Sequence, residues 1–177
     1  MSKVILYIAT SIDGFIARPN GKLDWLENLP NEGKTDYGYA DFLKTIGTII
    51  MGKTTYNEII GFGIDWPYQE NKTFVVTNDK NFSPSTPETF VLNADFDLFI
   101  NKIRKESAQD CWLVGGGKLA NYFIQNNLID RLIISIAPVI LGEGIPLFAA
   151  KTIESEWNLD NVEKFDNGIV SLTYNKK

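Results

Sequence analysis

Short apolar runs rich in β-branched residues alternate with longer amphipathic segments along this chain. Lys3–Ala9 (KVILYIA), Thr48–Met51 (TIIM), Thr73–Thr77 (TFVVT) and Trp112–Val114 (WLV) are near-continuous apolar stretches. That pattern predicts strands covered on both faces. Helical spacing lies between them. Tyr39–Ile46 precedes the second run and Thr54–Ile60 follows it, while Asp95–Glu106 places Phe96, Phe99, Ile100 and Ile103 on one face. Lys118–Asn127 is a fourth helical segment. From Asp130 the rhythm changes: Arg131–Pro138 reads as another strand and PVILGEGIPLF as a loop. Leu159–Phe165 and Ile169–Asn175 then flank Asp166-Asn167-Gly168, a hairpin turn. No repeat, low-complexity tract or linker interrupts the pattern. It predicts one α/β domain over residues 1–177, with a mainly parallel sheet and an antiparallel carboxy-terminal edge.

Composition narrows the chemistry more than the fold. A length of 177 residues suits one domain with a sizeable core. The formal net charge is −5 and no basic block occurs, which argues against a nucleic-acid surface. The longest apolar runs, such as Leu132–Leu141, fall short of a membrane span. The amino terminus reads as a first strand, not a signal peptide, and one cysteine excludes an internal disulfide framework. A cytoplasmic protein is expected. The chain contains no histidine, which removes Ser-His-Asp and Cys-His catalysis and His-ligated zinc at once. No metal site is expected, and chemistry falls to Asp, Glu, Lys, Tyr, Ser or Thr, or to an organic cofactor.

Two strand-to-helix turns share one grammar. In CWLVGGGKLANYF, a strand ending at Val114 delivers Gly115, Gly116 and Gly117 to the sheet's carboxyl edge, where open α/β sheets bind ligands. The following helix offers free N–H groups and partial positive charge, and Lys118 adds a full one. A bare tight turn accounts for the same glycines equally well. In MGKTTYNEI, Gly52 precedes a helix opened by Lys53, Thr54 and Thr55. Ordinary threonine capping is the competing explanation there. Two such turns, each with a lysine, suit a ligand carrying more than one phosphate, as a dinucleotide does. Thr77 and Asn78 end a further strand, placed to meet a ribose or simply to close the strand.

The order ATSIDGFIA, IIMGKTTYNEI, KTFVVTND, WLVGGGKLANYF and DRLIISIAP resembles the dihydrofolate reductase superfamily. ATSIDGFIA and PVILGEGIPLF further resemble the carboxy-terminal reductase domain of the bifunctional riboflavin-biosynthesis enzyme, in a stand-alone form. The resemblance implies a three-layer dihydrofolate-reductase-like fold, NADPH as cofactor, and hydride transfer to a pterin- or pyrimidine-like heterocycle. It implies a homodimer as well. By the same resemblance Ala9 lies near the nicotinamide, and the Asp13–Ile16 loop, with Ile16, folds over it. Gly52, Lys53 and Thr54 meet phosphates, with Lys53 replacing an arginine near the 2′-phosphate. Thr77 and Asn78 lie near the adenosine ribose. Val114, Gly115, Gly116, Gly117, Lys118 and Leu119 line the pyrophosphate.

The substrate side departs from the pattern. Asn71 stands where dihydrofolate reductases carry an arginine for the glutamate tail, and an amide makes no charged fork. The pterin-facing acid aligns with Asp36 or with Gly38, and Asp41 is the other acid on that helix. Asp36 and Asp41 are candidate proton donors against a simpler role as solvated acids. Ser135 matches a hydroxyl position beside the pterin. Asp13 reads as a turn residue ahead of Gly14, and Trp25, Trp66 and Tyr56 as core or pocket aromatics. The alternatives are true dihydrofolate reduction, reduction of a ribosylated aminopyrimidine, and a nucleotide-binding module without catalysis.

Overall fold

The computed structural model describes residues 2–93, 96–150 and 152–177. Its centre is one eight-stranded sheet in the order β5-β4-β3-β6-β1-β7-β10-β9. The strands are β1 (Val4–Thr10), β3 (Ile46–Gly52), β4 (Lys72–Val76), β5 (Thr89–Leu92), β6 (Asp110–Gly115), β7 (Arg131–Ile136), β9 (Trp157–Lys164) and β10 (Val170–Lys176). From β5 to β7 every neighbouring pair is parallel, and β10 and β9 add an antiparallel edge. A small second sheet pairs β2 (Phe15–Ala17) with β8 (Ile145–Pro146). This is the predicted α/β class, down to the antiparallel edge.

The helices are α1 (Asp24–Glu27), α2 (Tyr39–Lys44), α3 (Lys53–Gly61), α4 (Phe96–Glu106) and α5 (Gly117–Gln125). The expected start of the fourth helix, Asp95, lies outside the described residues. Helices cover both faces and build two cores. On one face Ile100 and Ile103 of α4 and Leu119, Ala120, Phe123 and Ile124 of α5 pack on Leu6, Ile50 and Leu113. On the other, Tyr56 and Ile59 of α3 pack on Ile5, Ile49, Met51, Val75 and Trp112. Each central strand feeds alternate side chains into the two cores, which is why these strands read as continuous apolar runs rather than alternating ones. Fully burying one such side chain contributes roughly 1.5–3 kcal/mol.

Two expectations need correction, and one open choice between core and pocket is resolved. Ile46 is the first residue of β3, not the end of the preceding helix, which stops at Lys44. Its side chain is buried at the strand's start. The PVILGEGIPLF loop contains the short strand β8. Trp66 and Tyr56 belong to the second core, and Trp25 to a third cluster with Ala137 and Ile169, so all three aromatics are packing residues.

Candidate functional site

The helix that follows β3 packs on one face of the sheet and the helix that follows β6 packs on the other. Because β3 and β6 are neighbours, this divergence opens a crevice at their carboxyl ends, the usual ligand position in an open α/β sheet. Gly52 and Gly116 are the N-caps of α3 and α5, and no side chain caps either helix. Both nine-residue helices therefore direct the positive ends of their dipoles at the crevice. The Gly116 N–H donates to Thr55 Oγ1 at 3.1 Å, tying the two turns together.

The glycines differ in purpose. Gly115 has φ +119°, a conformation that a side chain disfavours. Gly116 faces Thr55, and a Cβ at Gly52 would meet only the Gly115 carbonyl, at 3.9 Å. At Gly117 a Cβ would press on Ile145, Pro146 and Ile16 at 3.1–3.4 Å, so this glycine makes room for protein. Ile16 thus packs over the glycine turn through its place in β2. Val114 is half-buried on β6, Lys118 is exposed, and Leu119 points into the core, away from the crevice.

Thr54 is exposed, whereas Thr55 makes the inward contact. The family resemblance implies Thr54 at the phosphates, but Thr55 is the threonine that turns toward the glycines. Lys53 does not stand free. Its Nζ lies 2.6 Å from Asp79 Oδ2 and 5.3 Å from the centre of the Phe82 ring. Thr77 Oγ1 accepts the Asp79 N–H at 3.1 Å, closing a turn, and Asn78 is exposed beside it. The Lys53 ammonium holds the Asp79 carboxyl below the usual carboxylate range.

Further along the edge, Ala9 is half-buried on β1 and pairs with Ser135 of β7, which in turn pairs with Ser171 of β10. The two serine hydroxyls are 3.3 Å apart. Tyr7, two residues before Ala9, extends this hydroxyl patch. Its phenol donates to the Tyr37 carbonyl at 3.1 Å, and Phe42 meets its ring edge-on at 4.8 Å. Burial pushes the Tyr7 phenol up, with the nearby Ser135 hydroxyl opposing, so it stays protonated at neutral pH. Sequence reading passed over Tyr7 because an apolar strand run gives no sign that one aromatic carries a placed hydroxyl.

The candidate acids are engaged elsewhere. Asp36 accepts the N–H groups of Gly38 and Ala40 at 3.1 and 2.9 Å, ahead of α2. These bonds lower its pKa, and a capping carboxylate works in its ionised form, the wrong state for giving a proton. Asp41 is exposed and paired with Lys44 at 2.7 Å. Asn71 is buried and donates to the Ile46 carbonyl at 2.6 Å, a strand-end brace. Asp13 is more than a local turn residue: it accepts from the Ser11 hydroxyl (2.6 Å) and from the Leu141 and Gly142 N–H groups (3.1 and 2.7 Å). Among the described residues, no group of three or more Asp, Glu or Cys side chains is arranged to hold a metal ion.

A mostly parallel α/β sheet with two uncapped helix starts at one switch point defines a protein of the dihydrofolate-reductase-like class. Residues 2–171 match the RibD C-terminal domain family, and the chain belongs to it. It is 36% identical over 167 residues to the uncharacterized protein YwjB of Bacillus subtilis (strain 168), covering 94% of each chain. It is 28% identical to the dihydrofolate reductase of Ureaplasma parvum serovar 3, again covering 94% of each. A crystal structure of a Shewanella sp. PV-4 protein provisionally assigned to riboflavin biosynthesis superposes with a TM-score of 0.89 at 30% identity, covering 99% of both chains. Family and relatives together support a reductase-type function.

Proposed function

We propose that this protein is an NADPH-dependent reductase that transfers a hydride to a pterin- or pyrimidine-like heterocycle. The observation that carries this reading is the pair of uncapped helix starts meeting across Gly52 and Gly116, joined by Thr55. That donor set suits a pyrophosphate: backbone N–H groups, two dipole ends and no Cβ at the two caps. Gly52, Gly115, Gly116 and the first turns of α3 and α5 would hold the phosphates, and a flat ring would lie by Ala9, beside the hydroxyl patch. When bound, the nicotinamide supplies the hydride. The chain supplies orientation, and its protonated hydroxyls offer hydrogen bonds to the heterocycle. With Asn71 buried against a backbone carbonyl, that position offers no charged fork for an acidic tail, which favours a substrate other than dihydrofolate.

Titration with NADPH, followed by tryptophan quenching and by the melting temperature, tests the reading. Cofactor at about 100 times its Kd should stabilise the fold by about 2.7 kcal/mol. No response at millimolar NADPH would sink the enzyme reading. Binding without oxidation by dihydrofolate or any pyrimidine substrate would leave a nucleotide-binding module.

We also propose that the protein acts as a homodimer. Leu132, Tyr174 and Leu159 form one row across β7, β10 and β9, and Ile134, Leu172 and Val162 form a second. Leu159 and Val162 are 55% and 53% exposed. Beside them Ile124, Phe148 and Trp157 help line a shallow apolar cavity of about 440 Å³. An apolar face of this kind complements a second copy of itself.

A further inference from the structure

The Lys53–Asp79 pair lies at the end of the crevice farthest from β1. Lys53 opens α3 after β3, and Asp79 follows the end of β4, the neighbouring strand. Both oxygens of Asp79 are occupied. Oδ2 takes the Lys53 ammonium at 2.6 Å, and Oδ1 accepts the Asn81 N–H at 2.9 Å. Its own N–H donates to Thr77 Oγ1, so the carboxylate sits on a hydrogen-bonded turn. The side chains of Lys53 and Asp79 remain 36% and 40% exposed, open to a ligand lying along the sheet edge.

Neighbouring strands are about 4.8 Å apart, so β4, β3, β6 and β1 together span about 14 Å of edge. A dinucleotide with its nicotinamide at Ala9 and its pyrophosphate between Gly52 and Gly116 brings its second ribose to the tip of β4. This placement rests on the function proposed above. At such a position a carboxylate favours free ribose hydroxyls and repels a phosphate, whereas an unpaired cation does the reverse. Here the sequence supplies both, already joined.

We propose that Asp79 is a specificity-determining residue for the cofactor ribose: by holding Lys53 it neutralises the lysine that opens α3 at this end of the crevice. The chain therefore accepts the dinucleotide with or without a 2′-phosphate. The neighbouring Lys80 is exposed and forms no ion pair with Asp79 among the described residues, so it serves as the control.

Dissociation constants for NADPH and NADH, from tryptophan quenching and checked by thermal shift, test this in the wild type, Asp79→Asn, Lys53→Met and Lys80→Met. The wild type should bind the two cofactors within about fivefold of each other. Asp79→Asn should move the ratio about tenfold or more toward NADPH, and Lys53→Met should move it toward NADH. An Asp79→Asn ratio within about twofold of wild type would overturn the inference, as would a larger effect at Lys80 than at Lys53. If the wild type binds neither cofactor, the functional reading falls and takes the inference with it. Binding with an unmoved ratio removes the inference alone. Unliganded melting temperatures identify any variant that has lost its fold, and in that case Lys53→Met decides.

Discussion

The carboxylate of Asp13 joins two loops separated by 128 residues of chain, one after β1 and one after β7. Three donors converge on it, chiefly the Ser11 hydroxyl, and they hold its pKa down to about 2. Because the folded-state value lies below the unfolded one, the contribution is complete above about pH 4 and shrinks as the carboxyl protonates. It is lost as the pH falls through about 2. Asp13→Ala should raise hydrogen exchange at the Leu141 and Gly142 amides about tenfold at neutral pH, with little effect in the central strands. Unchanged exchange there would show that the loops hold each other without it. Such partnerships mark the limit of what a sequence reveals at this scale. The two strand-to-helix turns of the crevice were legible, because glycine and then threonine or lysine open both helices directly after apolar strand runs. Asp13, Asp36 and Asp41 look alike in sequence, since their roles are set by donors that tertiary structure delivers. Lys53 was legible as a cation, but its Asp79 counterion was not.

At the scale of elements, the small β2–β8 sheet covers the glycine turn and rests on one close approach. A Cβ on Gly144 would collide with the Ala17 carbonyl and sit 3.1 Å from the Phe15 ring. Backbone is the obstacle, so the pair must separate to admit it. Gly144→Ala should destabilise the fold by about 1–3 kcal/mol, as overpacking does. A melting temperature equal to wild type would mean that β8 moves at no cost. Strands buried on both faces declared themselves in the sequence, as did the amphipathic α4. The elements that escaped notice were β2, β5, β8 and α1, each of four residues or fewer. Over so short a span, periodicity carries no signal, and pairing with a neighbour decides the conformation.

For the whole molecule, sheet order matters more than any single strand. Its carboxy-terminal hairpin leaves apolar rows on one face of β7, β10 and β9, and a stable interface needs about 800 Å² from each partner. Light scattering at micromolar concentration should report a dimer. Leu159→Lys with Val162→Lys should convert it to a folded monomer, because both side chains are already more than half exposed. A monomeric wild type would refute the assembly. This face was visible in sequence only as an apolar stretch, equally suited to the interior. Knowing which strands lie at the uncovered edge separates the two.

The opposite departures of α3 and α5 carry a mechanical consequence. Each helix is anchored in its own core, and the two cores meet only through the strands between them. Thr55 is the sole hydrogen-bonded stitch between the two helix starts among the described residues. A ligand lying across Gly52 and Gly116 grips both starts at once and becomes a tie rod between the halves of the molecule. Occupancy of that narrow seam would then register as stiffness on both sides of the sheet.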